Sequence, residues 1–354
     1  MSLNVILDSS IMVKGQPATA GSKMLADFIA PFSATVVERL EAAGVSIAGR
    51  VESSEFGVGG LFGDEERGAV SSQAHNDIER AFSLVLNGET DFALFNDYTG
   101  AVSRAAASCG LYYIHPSYGS VSRYGLIPSV TSMDQIGIVC KSPEVGFQAL
   151  RLIAGYDSRD GVMLSGEGAG ESKGAEEPSP CFEIDVVALE TDYSDVFPQV
   201  MQILCCAELG NNISRYDGIR YGFRAKDYNG LNELYTKSRT EAFGADVKLA
   251  AILGAMVLSQ ENYARYYDKA MRLRRLIRDS LDFDSYDVIV TKCPILSRLC
   301  GLPSLTTPEH VYVASAGCED VLEAASKAVK SGDKAFKDDE EFKGQIKAVR
   351  GEAL

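Results

Sequence analysis

The sequence predicts an α/β protein with a mostly parallel or mixed sheet, and three observations favour this class. Short runs of β-forming residues alternate with segments whose apolar residues recur at helical spacing. Some of these runs, such as Val288-Ile289-Val290, are apolar throughout, as in strands that are covered on both faces. The chain of 354 residues, 46% of them hydrophobic, is long enough to bury a substantial core. An α/β layer architecture is therefore expected.

Helix and strand signals alternate in the N-terminal part. A cap-like Ser33 precedes apolar residues at helical spacing, and Gly44 ends the helix predicted over residues 33–43. The elements expected next are a short buried strand at residues 45–49, a helix over about 76–86 and a strand at 92–95.

Residues 161–180 are rich in Gly, Glu, Ser and Pro, and this composition predicts a flexible surface loop. The loop divides a single domain, residues 1–330, into halves at 1–160 and 181–330. From Ser331 a charged tail, residues 331–354, is expected to be a solvated helix or partly disordered. The second half is predicted to contain a strand at 181–189, helices at 195–209, 230–238, 243–259 and 261–281, a strand at 287–290 and a helix that begins after Cys318.

Composition excludes several classes of function. The net charge of −15 disfavours direct binding of nucleic acid, which depends on clustered Lys and Arg. The N-terminus lacks the features of a signal peptide and no window holds a long uninterrupted apolar run, so we expect a cytoplasmic protein without membrane contact. The eight cysteines lack paired C-x-x-C spacing, so we expect reduced thiols, no metal site and no cofactor.

Residues 110–134 are G-L-Y-Y-I-H-P-S-Y-G-S-V-S-R-Y-G-L-I-P-S-V-T-S-M-D, and this segment resembles one in amidase-signature enzymes. Three further segments also match the family: T-A-G-S-K-M-L at 19–25, N-I-S-R-Y-D-G-I-R-Y-G at 212–222 and S-R-T-E-A-F-G at 238–244. The last two are similar to the A subunit of the tRNA-dependent glutamyl and aspartyl amidotransferases. By this resemblance the chain is identified as a member of the amidase-signature family.

The resemblance implies one large α/β/α domain around a mixed sheet, with deletions relative to the family, one of them between Asp160 and Phe182. It also implies a Ser-Ser-Lys triad, in which a lysine activates a bridging serine and this serine activates the nucleophile. Such activation is needed because a serine hydroxyl alone is a poor nucleophile. Backbone N–H groups of a glycine-rich turn would then stabilise the oxyanion.

The supporting members of this triad match the sequence only in part. The resemblance places the lysine at Lys14, in a Val-Lys pair at the end of the first apolar run. The bridging serine falls on Asp77 in an ungapped alignment. A gap would bring Ser71-Ser72 to this position, but without the glycines that permit close approach of the backbone.

The nucleophile position holds no hydroxyl. It falls on Ala101, or on Val102 with a shift of one residue. The nearest hydroxyl is that of Ser103, which is either a relocated nucleophile or an ordinary helix-start serine. By the resemblance, His115 stands where the family usually has lysine, and it is either a new base near the old site or a surface or packing residue. We therefore expect the triad to be lost.

The glutamine-binding positions of the A subunit are changed as well. The resemblance places its tyrosine at Met201 and its arginine at Ala250, and the segment of its aspartate is largely absent between Pro294 and Leu302. Alanine cannot replace the bidentate contact of arginine with a carboxylate. Binding of glutamine in the family manner is therefore not expected.

Three hypotheses follow for the function. The first is a catalytically inactive relative of the A subunit, retained as a scaffold or binding protein, with a protein partner that resembles the B or C subunit of the amidotransferase. The second is a divergent amidohydrolase or glutamine amidotransferase subunit that uses Lys14 with Ser103 or another hydroxyl. The third is a small-molecule sensor that uses the emptied pocket as its ligand site.

Overall fold

A computed structural model describes residues 3–63, 72–163, 187–188, 194–330 and 347–349. In this part of the chain ten strands form one mixed sheet, in the order β2-β1-β3-β5-β4-β8-β9-β7-β10-β6. The strands are β1 (Asn4–Asp8), β2 (Ser46–Val51), β3 (Phe92–Asn96), β4 (Tyr112–His115), β5 (Ile136–Cys140), β6 (Val187–Ala188), β7 (Val288–Thr291), β8 (Ser304–Thr306), β9 (Val311–Ala314) and β10 (Lys347–Val349).

Ten α-helices accompany the sheet in the described residues. They are α1 (Thr35–Ala42), α2 (Ser72–Leu86), α3 (Ala101–Ser108), α4 (Pro143–Ile153), α5 (Phe197–Asn212), α6 (Gly230–Ala242), α7 (Ala245–Leu258), α8 (Tyr267–Asp279), α9 (Ile295–Cys300) and α10 (Glu319–Lys330). The predicted α/β class with a mixed sheet is confirmed.

The helices lie in two layers, one on each face of the sheet. One face packs against α1, α4 and α10 through residues such as Leu7, Leu40 and Leu322. The opposite face packs against α2 and α3 near β1 and β3. On that same side, α5, α7, α8 and α9 share a larger apolar core with β7 and β9. The implied α/β/α architecture is therefore present, and both faces of the strands are buried.

The pairing of the strands gathers several loops at one edge of the sheet. β1 pairs in parallel with β2 and with β3, so these strands end at the same edge. β5 pairs antiparallel with both β3 and β4, and β4 pairs antiparallel with β8. Ligands of α/β sheets usually bind beyond the carboxyl ends of parallel strands. A ligand site is therefore expected at the edge of the sheet formed by the residues that follow Asp8 and Asn96.

Most predicted elements are present, with shifted ends. The helix predicted over 261–281 begins only at Tyr267, because residues 260–266 form turns. Within the charged tail, Lys347–Val349 form a strand that pairs with β7, rather than a solvated helix. Only Val187–Ala188 of the strand predicted at 181–189 is described, and most of the predicted loop at 161–180 lies outside the described residues.

Candidate functional site

The nucleophile position opens α3 and is covered by two other segments. Gly100, with a φ of +77°, provides the left-handed turn that starts the helix at Ala101. A Cβ built on Gly60 would lie 3.1 Å from the Ala101 Cβ, and one built on Gly100 would lie 2.9 Å from the Pro294 Cγ. The Ala101 side chain is therefore a half-buried methyl group close to Gly60, with no reactive atom.

The N–H group that would stabilise an oxyanion at this turn already has a partner. The Ala101 N–H donates to the Thr99 Oγ1 at 3.3 Å. The Thr99 hydroxyl in turn donates to the Gly59 carbonyl at 2.8 Å. Thr99 therefore connects the turn at Ala101 with the loop at Gly59. An oxyanion site, by contrast, needs N–H donors that point at the reacting atom.

Ser103 is fully buried and both sides of its hydroxyl are used. Its Oγ donates to the Gly100 carbonyl at 3.0 Å and accepts from an Arg298 Nη at 2.9 Å. Its backbone N–H donates to Asp97 Oδ2 at 2.9 Å. The serine that the sequence proposes as a relocated nucleophile is thus part of a closed hydrogen-bond network.

Arg298 is the centre of this network. It forms a buried ion pair with Asp97 at 2.9 Å, and the two side chains are 0% and 1% exposed. All five N–H groups of the guanidinium have acceptors, which are the carbonyls of Asp97 and Pro294, the Asp97 carboxylate and the hydroxyls of Ser103 and Ser297. A buried ion pair is tolerated when its remaining donors are satisfied in this way.

No described contact joins Lys14 or Asp77 to the network around Arg298. Lys14 is exposed, and its backbone N–H donates to the Ser33 Oγ at 3.1 Å. Lys14 does not end the first apolar run, as the sequence predicts, because that run forms β1 and ends at Asp8. Asp77 is half-buried on α2, where it accepts a long hydrogen bond of 3.4 Å from the Glu52 N–H.

A second polar cluster, missed from the sequence, lies where β1 and β3 end. The buried Asp8 accepts from the Ser10 hydroxyl at 2.9 Å. Asn96 donates to Asp134 at 2.9 Å and accepts from the Gln135 N–H at 3.1 Å. Burial raises the pKa of both Asp8 and Asp134. A carboxylate at the end of an apolar strand was the signal that could have indicated this cluster.

His115 lies on β4 directly opposite Ser304 of β8. It is only 2% exposed, and its Nδ1 has no hydrogen-bond partner in the described residues. Burial, together with the nearby positive charge of Arg298, lowers the pKa of His115 well below its ordinary value. The histidine is therefore neutral at pH 7 and is packed within the sheet, as the simpler of the two sequence interpretations expects.

The two positions matched to glutamine binding lie in the apolar core between α5 and α7. Met201 and Ala250 are 2% and 0% exposed. The Met201 sulfur contacts the Cys205 thiol at 3.3 Å. The helices approach closely because both carry glycine at the contact, and a Cβ on Gly254 would lie 2.2 Å from the Cys206 carbonyl oxygen. Neither of the two matched side chains can therefore hold the charged groups of an amino-acid ligand.

Among the described residues there is no group of three or more His, Cys, Asp or Glu side chains placed to hold a metal ion. None of the described helices has the length and apolar character needed to cross a membrane. A cavity of about 150 Å³ is lined by Arg123, Tyr124, Asp134 and Arg159, among others, and its lining does not include Ala101 or Ser103.

Comparison with known proteins agrees with this architecture. The family model described as Amidase matches residues 3–63, 83–178 and 182–326. The A subunit of glutamyl-tRNA(Gln) amidotransferase from Lachnoclostridium phytofermentans is 33% identical over an alignment of 349 positions, which covers 87% of this chain and 70% of the relative. The protein of the same name from Wolinella succinogenes is also 33% identical, over 87% of this chain and 77% of its own length.

Solved structures show the same fold. The A subunit of glutamyl-tRNA(Gln) amidotransferase from Thermotoga maritima has a TM-score of 0.57 at 20% identity, covering 93% of this chain and 83% of that one. The peptide amidase of Stenotrophomonas maltophilia has a TM-score of 0.68 at 18% identity, covering 93% of this chain and 82% of that one. Since the family model spans most of the chain and the curated relatives are 33% identical over 87% of it, the chain belongs to the amidase-signature family.

Proposed function

We propose that this chain is a non-catalytic member of its family that acts as a scaffold or binding protein. The observation that carries the proposal is the state of Ser103, whose hydroxyl donates to Gly100 and accepts from Arg298. A nucleophilic serine needs a base to take its proton, and here a backbone carbonyl holds that proton. With alanine at position 101, the residues around the turn supply packing in place of acyl-transfer chemistry.

A relocated active site would require this network to open. Ser103 would have to leave both the Gly100 carbonyl and Arg298, and the guanidinium would lose one of its acceptors in a fully buried position. Lys14, the proposed base, is exposed on a loop beyond β1. Leaving a buried charged donor unsatisfied is costly, so the hydrolase hypothesis is the weaker of the two.

The protein partner is inferred from the relatives, which are named as amidotransferase subunits. We propose a partner that resembles the B or C subunit of the amidotransferase, and a cytoplasmic location, which the seven free cysteines of the described residues support. Part of the matched segment at 212–222 is used inside the molecule, since Asn212 and Tyr216 are buried and Arg239 donates to the Tyr216 carbonyl. Residues 219–222 are exposed, so internal contacts account for only part of this segment.

The sensor hypothesis needs a cavity at the lost active site. The cavity described above is lined by Arg123, Arg159 and Asp160, which are already engaged in ion pairs. Arg123 pairs with Asp160 at 2.9 Å, and Arg159 pairs with Asp157 at 3.0 Å. A ligand with an anionic group would have to displace these carboxylates, so no observation favours this function over the scaffold.

The experiment that tests the proposal measures ammonia released from glutamine, asparagine and simple amides. It compares the wild-type chain with Lys14→Ala, Ser103→Ala and, as a matched control on the same helix, the exposed Ser108→Ala. We expect no release by any of the four folded proteins. Turnover by the wild type that either Lys14→Ala or Ser103→Ala abolishes, while Ser108→Ala retains it, would refute the proposal and establish the hydrolase hypothesis.

A further inference from the structure

One surface segment of this acidic chain is basic. Residues 215–227, called here the basic loop, lie between α5 and α6 and have a net charge of +2, whereas the whole chain has −15. The cations of the loop are exposed and form no ion pair with another described residue; they are Arg215, Arg220, Arg224 and Lys226. On α8, by contrast, the exposed Arg272 and Arg275 pair with acids of their own helix. The charge of the basic loop is therefore open to another molecule.

The hydrogen bonds of the basic loop leave its positive charge uncancelled. The Asp217 carboxylate accepts from the backbone N–H groups of Ile219 at 2.8 Å and Arg220 at 3.4 Å, so the loop's own backbone uses this acid. Arg215 donates to the neutral Asn212 carbonyl at 2.9 Å. The side chains at positions 220 and 226 have no contact within the described part of the chain.

The backbone of the basic loop is fixed by contacts with two other segments. The Phe223 N–H donates to the Met24 carbonyl at 2.8 Å, and the Ala225 N–H donates to the Ser238 Oγ at 3.0 Å. Gly222 has a φ of +84°, and a Cβ at this position would lie 2.9 Å from the Met24 sulfur. A surface that is already ordered loses little conformational entropy when it binds.

Two exposed apolar side chains flank Arg220. Ile219 and Tyr221 are 43% and 45% exposed. The Tyr221 ring lies edge-on to that of the buried Tyr216, with 6.0 Å between the centroids, so its position is set by the core. Arginine and tyrosine are the side chains that contribute most often to binding energy at protein interfaces.

We propose that the basic loop binds an acidic segment of a protein partner. Carboxylates of this segment would face Arg220 and Lys226, and an apolar side chain between them would pack on Ile219 and Tyr221. The opposite charges of the two surfaces select this occupant. A nucleic acid would extend beyond the four cations of the loop onto a chain with a net charge of −15, which repels a long polyanion.

This inference adds the chemistry of a partner to the proposed scaffold role. It does not depend on the loss of catalysis, because an active chain could bind the same segment, and the ammonia assay tests catalysis separately. Failure of one proposal therefore leaves the other standing.

The first experiment measures fluorescence anisotropy of a fluorescein-labelled peptide built from Glu-Glu-Phe repeats, titrated with the full-length protein at low ionic strength. The test variant combines Arg220→Glu with Lys226→Glu. The matched control combines Arg272→Glu with Arg275→Glu, which changes the net charge equally at cations that already have partners. We expect saturable binding by the wild type and the control, with dissociation constants within about twofold of each other. The test variant should bind about tenfold more weakly or worse.

A second experiment separates this surface from a merely electrostatic one. Tyr221→Ala leaves the charge unchanged and should weaken binding of the same peptide about fivefold. A single-stranded RNA oligonucleotide of equal length should bind more weakly than the peptide. Absence of saturable peptide binding by the wild type, equal losses in the two double variants, full affinity of Tyr221→Ala, or tighter binding of the RNA would each overturn the inference.

Discussion

The start of α3 and the outer face of α7 differ in where their side chains find partners. At α3, Asp97, Ser103 and Arg298 satisfy one another in the interior, and Ala101 is a half-buried methyl group beside Gly60. On α7, Leu249 and Ile252 present apolar surface to water. The polar groups at the start of α3 are thus satisfied inside the fold, whereas α7, the helix that holds Ala250, leaves apolar side chains in contact with water.

Removing Arg298 should have the largest effect on stability. Arg298→Ala leaves the Asp97 carboxylate buried without its partner, which should lower the free energy of unfolding by about 3–5 kcal/mol. Urea denaturation measures this change. The control is Arg272→Ala, since this arginine is 76% exposed and pairs with Asp268 within α8, and its loss should cost at most about 1 kcal/mol. Similar losses in the two variants would show that the α3 network is not closed.

Substitutions on the face of α7 that packs against α5 should destabilise the protein more than substitutions on its exposed face. Gly254→Ala puts a Cβ 2.2 Å from the Cys206 carbonyl oxygen, so the helices must separate, at a cost of about 1–3 kcal/mol in the free energy of unfolding. Gly161→Ala, where a Cβ meets no atom within 4 Å, is the control. Thermal unfolding of both proteins measures the difference. An unchanged midpoint for Gly254→Ala would contradict the close packing of α5 and α7.

The contributions of two buried aspartates, Asp8 and Asp157, to the free energy of unfolding should change with pH in opposite directions. Because burial raises the pKa of Asp8 above 3.8, its stabilising contribution is complete below that pH and is lost as the pH rises through the folded pKa. Burial acts to raise the pKa of Asp157 as well, but hydrogen bonds from Arg159, Thr35 and Ser122 outweigh it and hold that pKa below 3.8. The contribution of Asp157 is therefore present above 3.8 and lost as the pH falls.

The test is urea denaturation between about pH 3 and pH 7 for Asp8→Asn and Asp157→Asn. Relative to the wild type, Asp157→Asn should be most destabilised near neutral pH, and the deficit should shrink on acidification. Asp8→Asn should show the opposite trend, with its deficit smallest near neutral pH. Parallel curves for the two variants would mean that Asp8 is not shielded from water at the end of β1.

The smallest effect is expected for Lys14→Ala. The side chain is exposed, and the described hydrogen bond at this residue comes from its backbone, so the free energy of unfolding should change by no more than about 0.5 kcal/mol. Chemical denaturation measures it. A loss well above this would indicate that the lysine has a partner and would reopen the question of its role.

The sequence pattern predicts the helices and strands that have a clear periodicity, but it predicts only some of the residues around the start of α3. The helix signals at 33–43 and 243–259 correspond to α1 and α7, because amphipathic and apolar patterns are local. Ala101 and the buried Ser103 at the start of α3 could be named from the family motif. Arg298 could not, because its partner Asp97 lies 201 residues earlier and only the folded chain brings them together. A lone charge within I-L-S-R-L-C was the available signal.

The most direct test of the central claim is labelling of the intact protein with a fluorophosphonate, followed by mass spectrometry of its peptides. A network that holds the Ser103 hydroxyl between Gly100 and Arg298 predicts no adduct on Ser103 of the wild type, so that its labelling pattern matches that of the Ser103→Ala control. A stoichiometric adduct on Ser103 of the folded wild type, absent from the control, would show an activated nucleophile and contradict the account.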